Sequence, residues 1–396
     1  MKVLEGITVV DFTQAYSGPF AAMNLADFGA RIVKIERPGY GDNSRAWAPF
    51  AENGESGYFS AINRGKESMT LDIGQPEGLE AAKRWIAKAD VLLENFKVGT
   101  LDKKGLSYEE VKKINPEIIY ASISGYGQVS PWSRLAAYDN VVQAQCGIMD
   151  MTGYADEIPT KVGVSIGDNY TGLEMALAIS MALFHRMRTG KGQKIDIAMY
   201  DTLFGILERP ILQKTIAGKT IHRSGNTTNM VYPYSMFHCK DGLFTVGVEN
   251  GTSEEWTAFC KAIGREDLLA EEKYMDNEAR VADGAELDAR IAPFFADKTC
   301  EELTAIFEAA DIACSPVKGI PELATDPQLE ARGMLNPMID TAVGPYKATG
   351  NPIHMEKTPA VFEKCAPLLG EDTESLLKEI GYDDADIAAF REKGVI

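Results

Sequence analysis

The sequence has no long charge-free apolar run around its central segment: Met175 to Phe184 is about half of what a bilayer crossing requires. It is expected to be a core helix, and no membrane partner is expected. The amino terminus, MKVLEGITVV, lacks the charged, apolar and cleavage regions of a signal peptide, so a cytoplasmic location is expected. Positive charge is also short. With 40 Lys and Arg against 58 Asp and Glu, the net charge of -18 repels a polyanion and argues against nucleic acid as a partner. Cysteine is sparse, and Cys146, Cys239, Cys260, Cys300, Cys314 and Cys365 include no Cys-x-x-Cys. Neither a disulfide framework nor a metal site is indicated, and these residues are expected to pack as small hydrophobes. Low-complexity tracts are absent, which removes disorder as the default.

What is present reads as an α/β protein. A chain of 396 residues exceeds the length at which single cores usually divide, so about two domains are expected. An apolar strand over Ile7 to Phe12, the turn TQAYSGPF, a helix ending near Gly29 and the strand RIVKIE form a βαβ unit. Gly18 and Pro19 suit a helix amino terminus at which backbone N–H groups receive an anion. Arg31, Lys34, Arg37 and Arg45 follow closely and suggest a cationic lining for a small phosphorylated ligand. Glu36 ends the second strand as a ribose-binding acid would. A nicotinamide fingerprint, however, requires Gly-x-Gly-x-x-Gly, and this turn has one glycine.

Strand and helix alternate through ADVLLENF, EIIYASISGYG and QKIDIAMYDTLFGILERP, where Pro210 kinks or ends the last helix. YSMFHCKDGLFTVGV then reads as two strands around Lys-Asp-Gly. Thr252 with Glu255 and Thr299 with Glu302 have capping-box spacing. A large Rossmann-like domain is expected over 1–222, a smaller α+β domain over 223–326, and a return segment over 327–396 that completes the first. A terminal helix is expected around Glu374 to Glu379, followed by a polar tail.

In VGVSIGDNYTGLEM, Asp168 has two readings. One is the N-cap of an apolar helix over Leu173 to Arg188. In the other, Thr171 and Glu174 supply the cap, and Asp168 stands just outside, in a glycine-flanked turn, as a nucleophile on a rigid apolar helix.

The stretches VVDFTQAYSGPFAAMNLADFGARIVKIERPGYGD, VLLENFKVGTLDKKGL, SGYGQ, GDNYTG, TGKGQKIDIAMYD and APLLGEDTESLLKEIGY resemble the class III CoA-transferases, the group that contains formyl-CoA transferase and crotonobetainyl-CoA:carnitine CoA-transferase. The resemblance spans essentially the whole chain. It implies that Asp168 attacks an acyl-CoA thioester and passes through a mixed anhydride and an aspartyl-CoA thioester. By similarity, CoA contacts fall on Gln14, Ala15, Tyr16, Ser17, Arg37, Leu71, Asp72, Ile73, Gly74, Asn95, Phe96, Lys103 and Tyr138. CoA and acyl-CoA are substrates rather than tightly bound cofactors, a small carboxylic acid is the acceptor, and an interlocked-ring homodimer is implied. Two departures stand out: Gln14 replaces a histidine and Gly74 a lysine of the formyl enzyme, and its glycine-rich loop is missing. The alternatives are a homologous acyl-CoA racemase, which has Gly-His-Asp where this chain has Ala137-Tyr138-Asp139, and a non-catalytic CoA-binding subunit. The aromatic residues of MVYPYSMFHC suit either an acid pocket or a core.

Overall fold

The structure is a computed structural model that describes residues 2–362 and 364–396. Six short runs form one parallel sheet: β1 (Thr8–Asp11), β2 (Arg31–Glu36), β3 (Lys66–Thr70), β4 (Val91–Glu94), β5 (Ile119–Ser124) and β6 (Lys194–Ala198), in the order β3-β2-β1-β4-β5-β6. The direction of winding reverses between β1 and β4, and loops leaving the carboxyl ends of such neighbours diverge and open a crevice. Side chains alternate across the sheet. Val10, Val33 and Leu92 enter one core, whereas Val9, Ile32, Val91 and Leu93 enter the other. Burial on both faces explains why these strands read as continuous apolar runs.

The helices of this part of the chain are α1 (Ser17–Asp27), α2 (Gly57–Ile62), α3 (Pro76–Lys88), α4 (Tyr108–Ile114), α5 (Asp139–Cys146), α6 (Ile148–Met151), α7 (Ile166–Thr189) and α8 (Met199–Gly205). α3 packs Ala81, Ala82, Trp85 and Ile86 on one face of the sheet; α1 and α7 pack Ala21, Ala22, Leu25, Met175 and Ile179 on the other. Small residues bring α1 and α7 together. A Cβ on Gly172 would lie 2.6 Å from the carbonyl oxygen of Ser17, so only glycine permits this approach.

The chain divides into two units, Met1–Ile148 with Lys161–Ile211 and Asp326–Ile396, and Met149–Thr160 with Leu212–Thr325. In the first, the carboxyl-terminal segment closes the β3 edge: Asp372 accepts the Ser68 N–H at 2.9 Å, and Asp72 N–H donates to Val395 at 2.8 Å. Leu376, Leu377, Ile387 and Phe390 complete the α3-side core. The second unit holds an antiparallel sheet of β7 (Tyr234–Cys239), β8 (Gly242–Gly247) and β9 (Ala313–Pro316). Helices pack on it through a ring cluster in which Phe237 stacks on Phe295 at 4.1 Å. Both expected capping boxes are present, at Thr252/Glu255 and Thr299/Glu302. Within MVYPYSMFHC, Tyr232 and Phe237 are core residues and Tyr234 is exposed.

Four expectations are corrected. α7 begins at Ile166, seven residues before Leu173, and Thr171 lies inside it, buried, with Oγ1 2.8 Å from Thr202 Oγ1. α7 is also not buried all round, because Leu173, Leu177, Met181, Phe184 and Met187 form an exposed stripe. Gly18 makes room for Thr13 rather than a ligand: a Cβ there would lie 2.3 Å from Thr13 Cγ2. The polar tail contains a further helix, Asp384–Glu392, capped by Asp383. Among the described residues no helix is long and apolar enough to cross a membrane.

The α1–α7 contact yields a stability prediction. Gly172→Ala forces a methyl group against backbone and is expected to destabilise the chain by about 1–3 kcal/mol, lowering the denaturant midpoint; an unchanged midpoint contradicts the packing argument.

Candidate active site

The β1–α1 loop rests on a buried ion cluster. Asp11, Lys34 and Lys66 are fully buried and Asp42 nearly so. Lys34 Nζ lies 2.8 Å from Asp42 Oδ2 and donates to the Thr13 carbonyl at 2.7 Å. Lys66 Nζ meets Asp11 Oδ2 at 3.0 Å, Asn63 Oδ1 at 2.9 Å and the Pro19 carbonyl at 3.1 Å. Asp11 Oδ1 accepts the Thr13 N–H at 2.8 Å and hydroxyl at 2.5 Å. Burial opposes every charge here, and the pairing decides the outcome. Lys34, facing Asp42 and Asp11, is raised against that burial. Lys66 faces one carboxylate and otherwise neutral oxygens, and burial pushes it down to about 8.

This cluster fixes the loop. The Gln14 N–H donates to Asn95 Oδ1 at 2.8 Å and Asn95 Nδ2 returns a bond to the Gln14 carbonyl at 2.7 Å, so the loops after β1 and β4 are tied at the winding reversal. Ala15 is held at φ 68°, a left-handed conformation that costs a non-glycine residue on the order of 1 kcal/mol, and its N–H donates to Asp42 Oδ1 at 3.0 Å. Tyr16 then donates its hydroxyl to Asn169 Oδ1 at 2.9 Å, and Ser17, with its hydroxyl and N–H toward the Asp168 carboxylate, pulls that group's pKa down.

Asp168 is in the first turn of α7, not outside it. The cap that made a local Thr-Glu box unnecessary comes from another helix: Asp139 Oδ1 accepts the Gly167 N–H at 2.8 Å, with Oδ2 held by Gln143 Nε2 at 2.7 Å. A Cβ on Gly167 would lie 2.9 Å from Asp139 Oδ1, so glycine here admits a second acid. Burial and then the Asp139 charge push the half-buried Asp168 up to about 7, against the lowering pull of Ser17. Tyr16 and Tyr58 are raised, burial first and with a contribution from Asp168, and so remain protonated donors at neutral pH.

The remaining expected residues occupy distinct settings. Arg37 is exposed after β2, its guanidinium 4.5 Å from the Tyr40 ring and bonded to Asn43 at 2.9 Å. After β3, Leu71 is a core residue, Ile73 packs partly against that core, and Asp72 Oδ1 accepts the Gly74 N–H at 2.8 Å. Phe96 packs partly against the same core, with its N–H on Glu94. Lys103 and Tyr138 are exposed. The expected cationic lining reduces to Arg37, since Lys34 is buried, Arg45 forks onto Glu36 at 2.8 Å, and Arg31 pairs with Glu67 and Glu379. Glu36 is likewise engaged by Arg45, Ser68 and the Asp42 N–H, which removes it as a ribose acid.

Sequence reasoning missed Asp139 and Tyr58, which couple electrostatically to Asp168, and the burial of Glu94. Glu94, a lone acid ending an apolar strand, is buried and pushed up to about 7 by that burial. A cavity of about 610 Å³ beside the first turn of α7 is lined by Tyr16, Tyr58, Asn169, Val164, Arg64 and Asn351 among others, with no histidine. His185 is exposed farther along α7, about 25 Å from Asp168 at the helical rise.

A model of CoA-transferase family III matches residues 4–373. Succinyl-CoA:glutarate CoA-transferase of Mus musculus is 36% identical over 397 residues, covering 100% of this chain and 91% of that one. Succinyl-CoA:mesaconate CoA-transferase of Haloarcula marismortui is 37% identical over 392 residues, covering 97% and 98%. The crystal structure of a CAIB/BAIF family protein from Brucella suis is similar with a TM-score of 0.86 and 35% identity, covering 96% of this chain and 99% of that one. The chain belongs to CoA-transferase family III.

Proposed function

We propose that this transferase moves CoA from an acyl-CoA donor to a free carboxylic acid by covalent relay through Asp168. The observation that carries this reading is the Asp168 carboxylate in the first turn of α7, half-buried, beside Ser17 and faced by a second acid, Asp139. Asp168 attacks the thioester carbonyl and expels CoA thiolate, leaving a mixed anhydride. The thiolate returns to the aspartyl carbonyl and releases the donor acid, giving an aspartyl-CoA thioester. The acceptor carboxylate attacks that thioester, and the thiolate then takes the acceptor acyl group from the second anhydride, regenerating Asp168.

The electrostatics support the relay. Acylation neutralises Asp168 as protonation does, so the burial and the Asp139 repulsion that raise its pKa also favour the covalent intermediates, by on the order of a few kcal/mol. Protonated Tyr58 and the Ser17 N–H are donors suited to the developing oxyanions, and Tyr16 becomes one when its hydroxyl turns away from Asn169.

In this reading CoA follows the carboxyl ends of β1 to β4. Gln14, Ala15, Tyr16 and Ser17 receive the thioester end; Arg37 and Lys103 pair with phosphates; Leu71 acts through its backbone, beside Asp72, Ile73 and Gly74. Asn95, Phe96 and Tyr138 complete the contacts. Relatives named for glutarate, mesaconate and oxalate support a short dicarboxylic acid as acceptor. The exposed apolar stripe on α7 supports a homodimer, and the absence of a histidine from the lining of the cavity beside α7 weighs against the racemase, which needs a second base. A cytoplasmic enzyme with no tightly bound cofactor completes the proposal.

Three outcomes are expected. Asp168→Asn should lower succinyl-CoA:dicarboxylate exchange at least about 10³-fold while the circular dichroism spectrum is retained; residual exchange within tenfold of wild type overturns the relay. Because attack requires the carboxylate, kcat/KM should rise with pH through about 7, and Asp139→Asn, which removes the repelling charge, should move that limb to lower pH; an unmoved limb contradicts the assignment. The raised pKa means that the folded state holds this proton more tightly than the unfolded chain, so its contribution to stability is present below about 4 and lost as pH rises through about 7. Asp168→Asn should therefore raise Tm more at pH 8 than at pH 5.

A further inference from the structure

Away from the β1–α1 loop, the second unit carries a pair of thiols that no step above uses. Cys239 ends β7 and Cys300 opens the helix Cys300–Ala309, 61 residues later; their sulfurs lie 3.2 Å apart, about 1 Å beyond the ~2.05 Å of a disulfide bond. Both are half-buried free cysteines. Asp241, in the turn between β7 and β8, sets the geometry. Its Oδ1 accepts the Cys300 N–H at 2.8 Å and lies 3.5 Å from Cys239 Sγ, which draws the hairpin tip onto the helix start. These three donors lie within 4.8 Å of one another. They fall one short of a closed tetrahedral metal set, and Asp241 Oδ1 already serves the backbone, so the arrangement suits dithiol chemistry better than a cation.

We infer that Cys239 and Cys300 form a dithiol oxidation site, closing to an intramolecular disulfide by exchange with a low-molecular-weight disulfide. The Cys239 thiolate attacks one sulfur of the reagent RS–SR, forming Cys239–S–SR and expelling RS⁻. The Cys300 thiolate then attacks Cys239 Sγ, forming the internal bond and expelling the second RS⁻. Two electrons pass to the reagent, and the two protons lost by the cysteines go to the released thiolates. Burial, with Cys239 and Asp241 adding to it, pushes the Cys300 thiol up to about 12, so closure accelerates with pH.

The test uses the full chain with oxidised glutathione at pH 8.5, followed by alkylation and peptide mapping without reduction. The expected result is loss of two of the six thiols, a peptide cross-linked between residues 239 and 300, and recovery of both thiols with dithiothreitol. In Cys300→Ser the reaction should stop at one glutathione on Cys239. Six thiols left free, separate glutathione adducts on both cysteines, or a bond through any other cysteine overturns the inference.

Discussion

The structure depends on how four buried charges hold one loop. Asp11 and Asp42 face Lys34 and Lys66 beneath the β1–α1 connection, and the cluster also bonds the backbone of that loop and of the helix start: Thr13 N–H and carbonyl, Ala15 N–H, and the Pro19 carbonyl. Buried ion pairs contribute little net stability relative to apolar packing, because desolvation offsets attraction. Their effect here is on geometry. An apolar cluster of equal volume would fill the space without dictating where Thr13 or Ala15 points, and hence would not set Tyr16 and Ser17 against the first turn of α7.

From that loop the order spreads by contact. Asn95 ties it to the neighbouring strand's loop, Tyr16 reaches Asn169, and Ser17 reaches Asp168. Glycines at 167 and 172 make the approach possible, one by admitting Asp139 and the other by admitting the Ser17 carbonyl. The site therefore needs an acid held close to a second acid and partly out of water, an arrangement that costs stability whenever both are ionised. That cost matches the chemistry proposed for it, since a covalent aspartyl intermediate is the state in which the repulsion disappears.

How much of this was legible in the sequence follows from the range of the interactions. The βαβ start, the Lys-Asp-Gly hairpin and the two Thr-x-x-Glu caps depend on neighbours within a few residues, and the structure has them. The start of α7 was misread because its cap, Asp139, lies 28 residues upstream. The supposed phosphate lining failed for the same reason: Arg31 finds Glu67 and Glu379, and Lys34 finds Asp42. The helix Asp384–Glu392 was missed although its signal was local, because Asp386 replaces the usual Glu or Gln of the box. Asp168 was singled out from its glycine-flanked setting and the resemblance; Tyr58 and Asp139, whose electrostatics couple to it, are set by tertiary packing and carry no spacing that marks them.

The most direct measurement of the central claim follows oxygen. With a dicarboxylic acceptor labelled with ¹⁸O in its carboxylates, each passage through the anhydride leaves an acceptor oxygen on the aspartate. After turnover with succinyl-CoA, the peptide containing Asp168 should gain about 2 Da, or about 4 Da once both oxygens have exchanged, as expected for an acyl-carboxylate relay. An unlabelled Asp168 peptide, recovered after many turnovers that do form the acceptor's CoA thioester, would contradict the account.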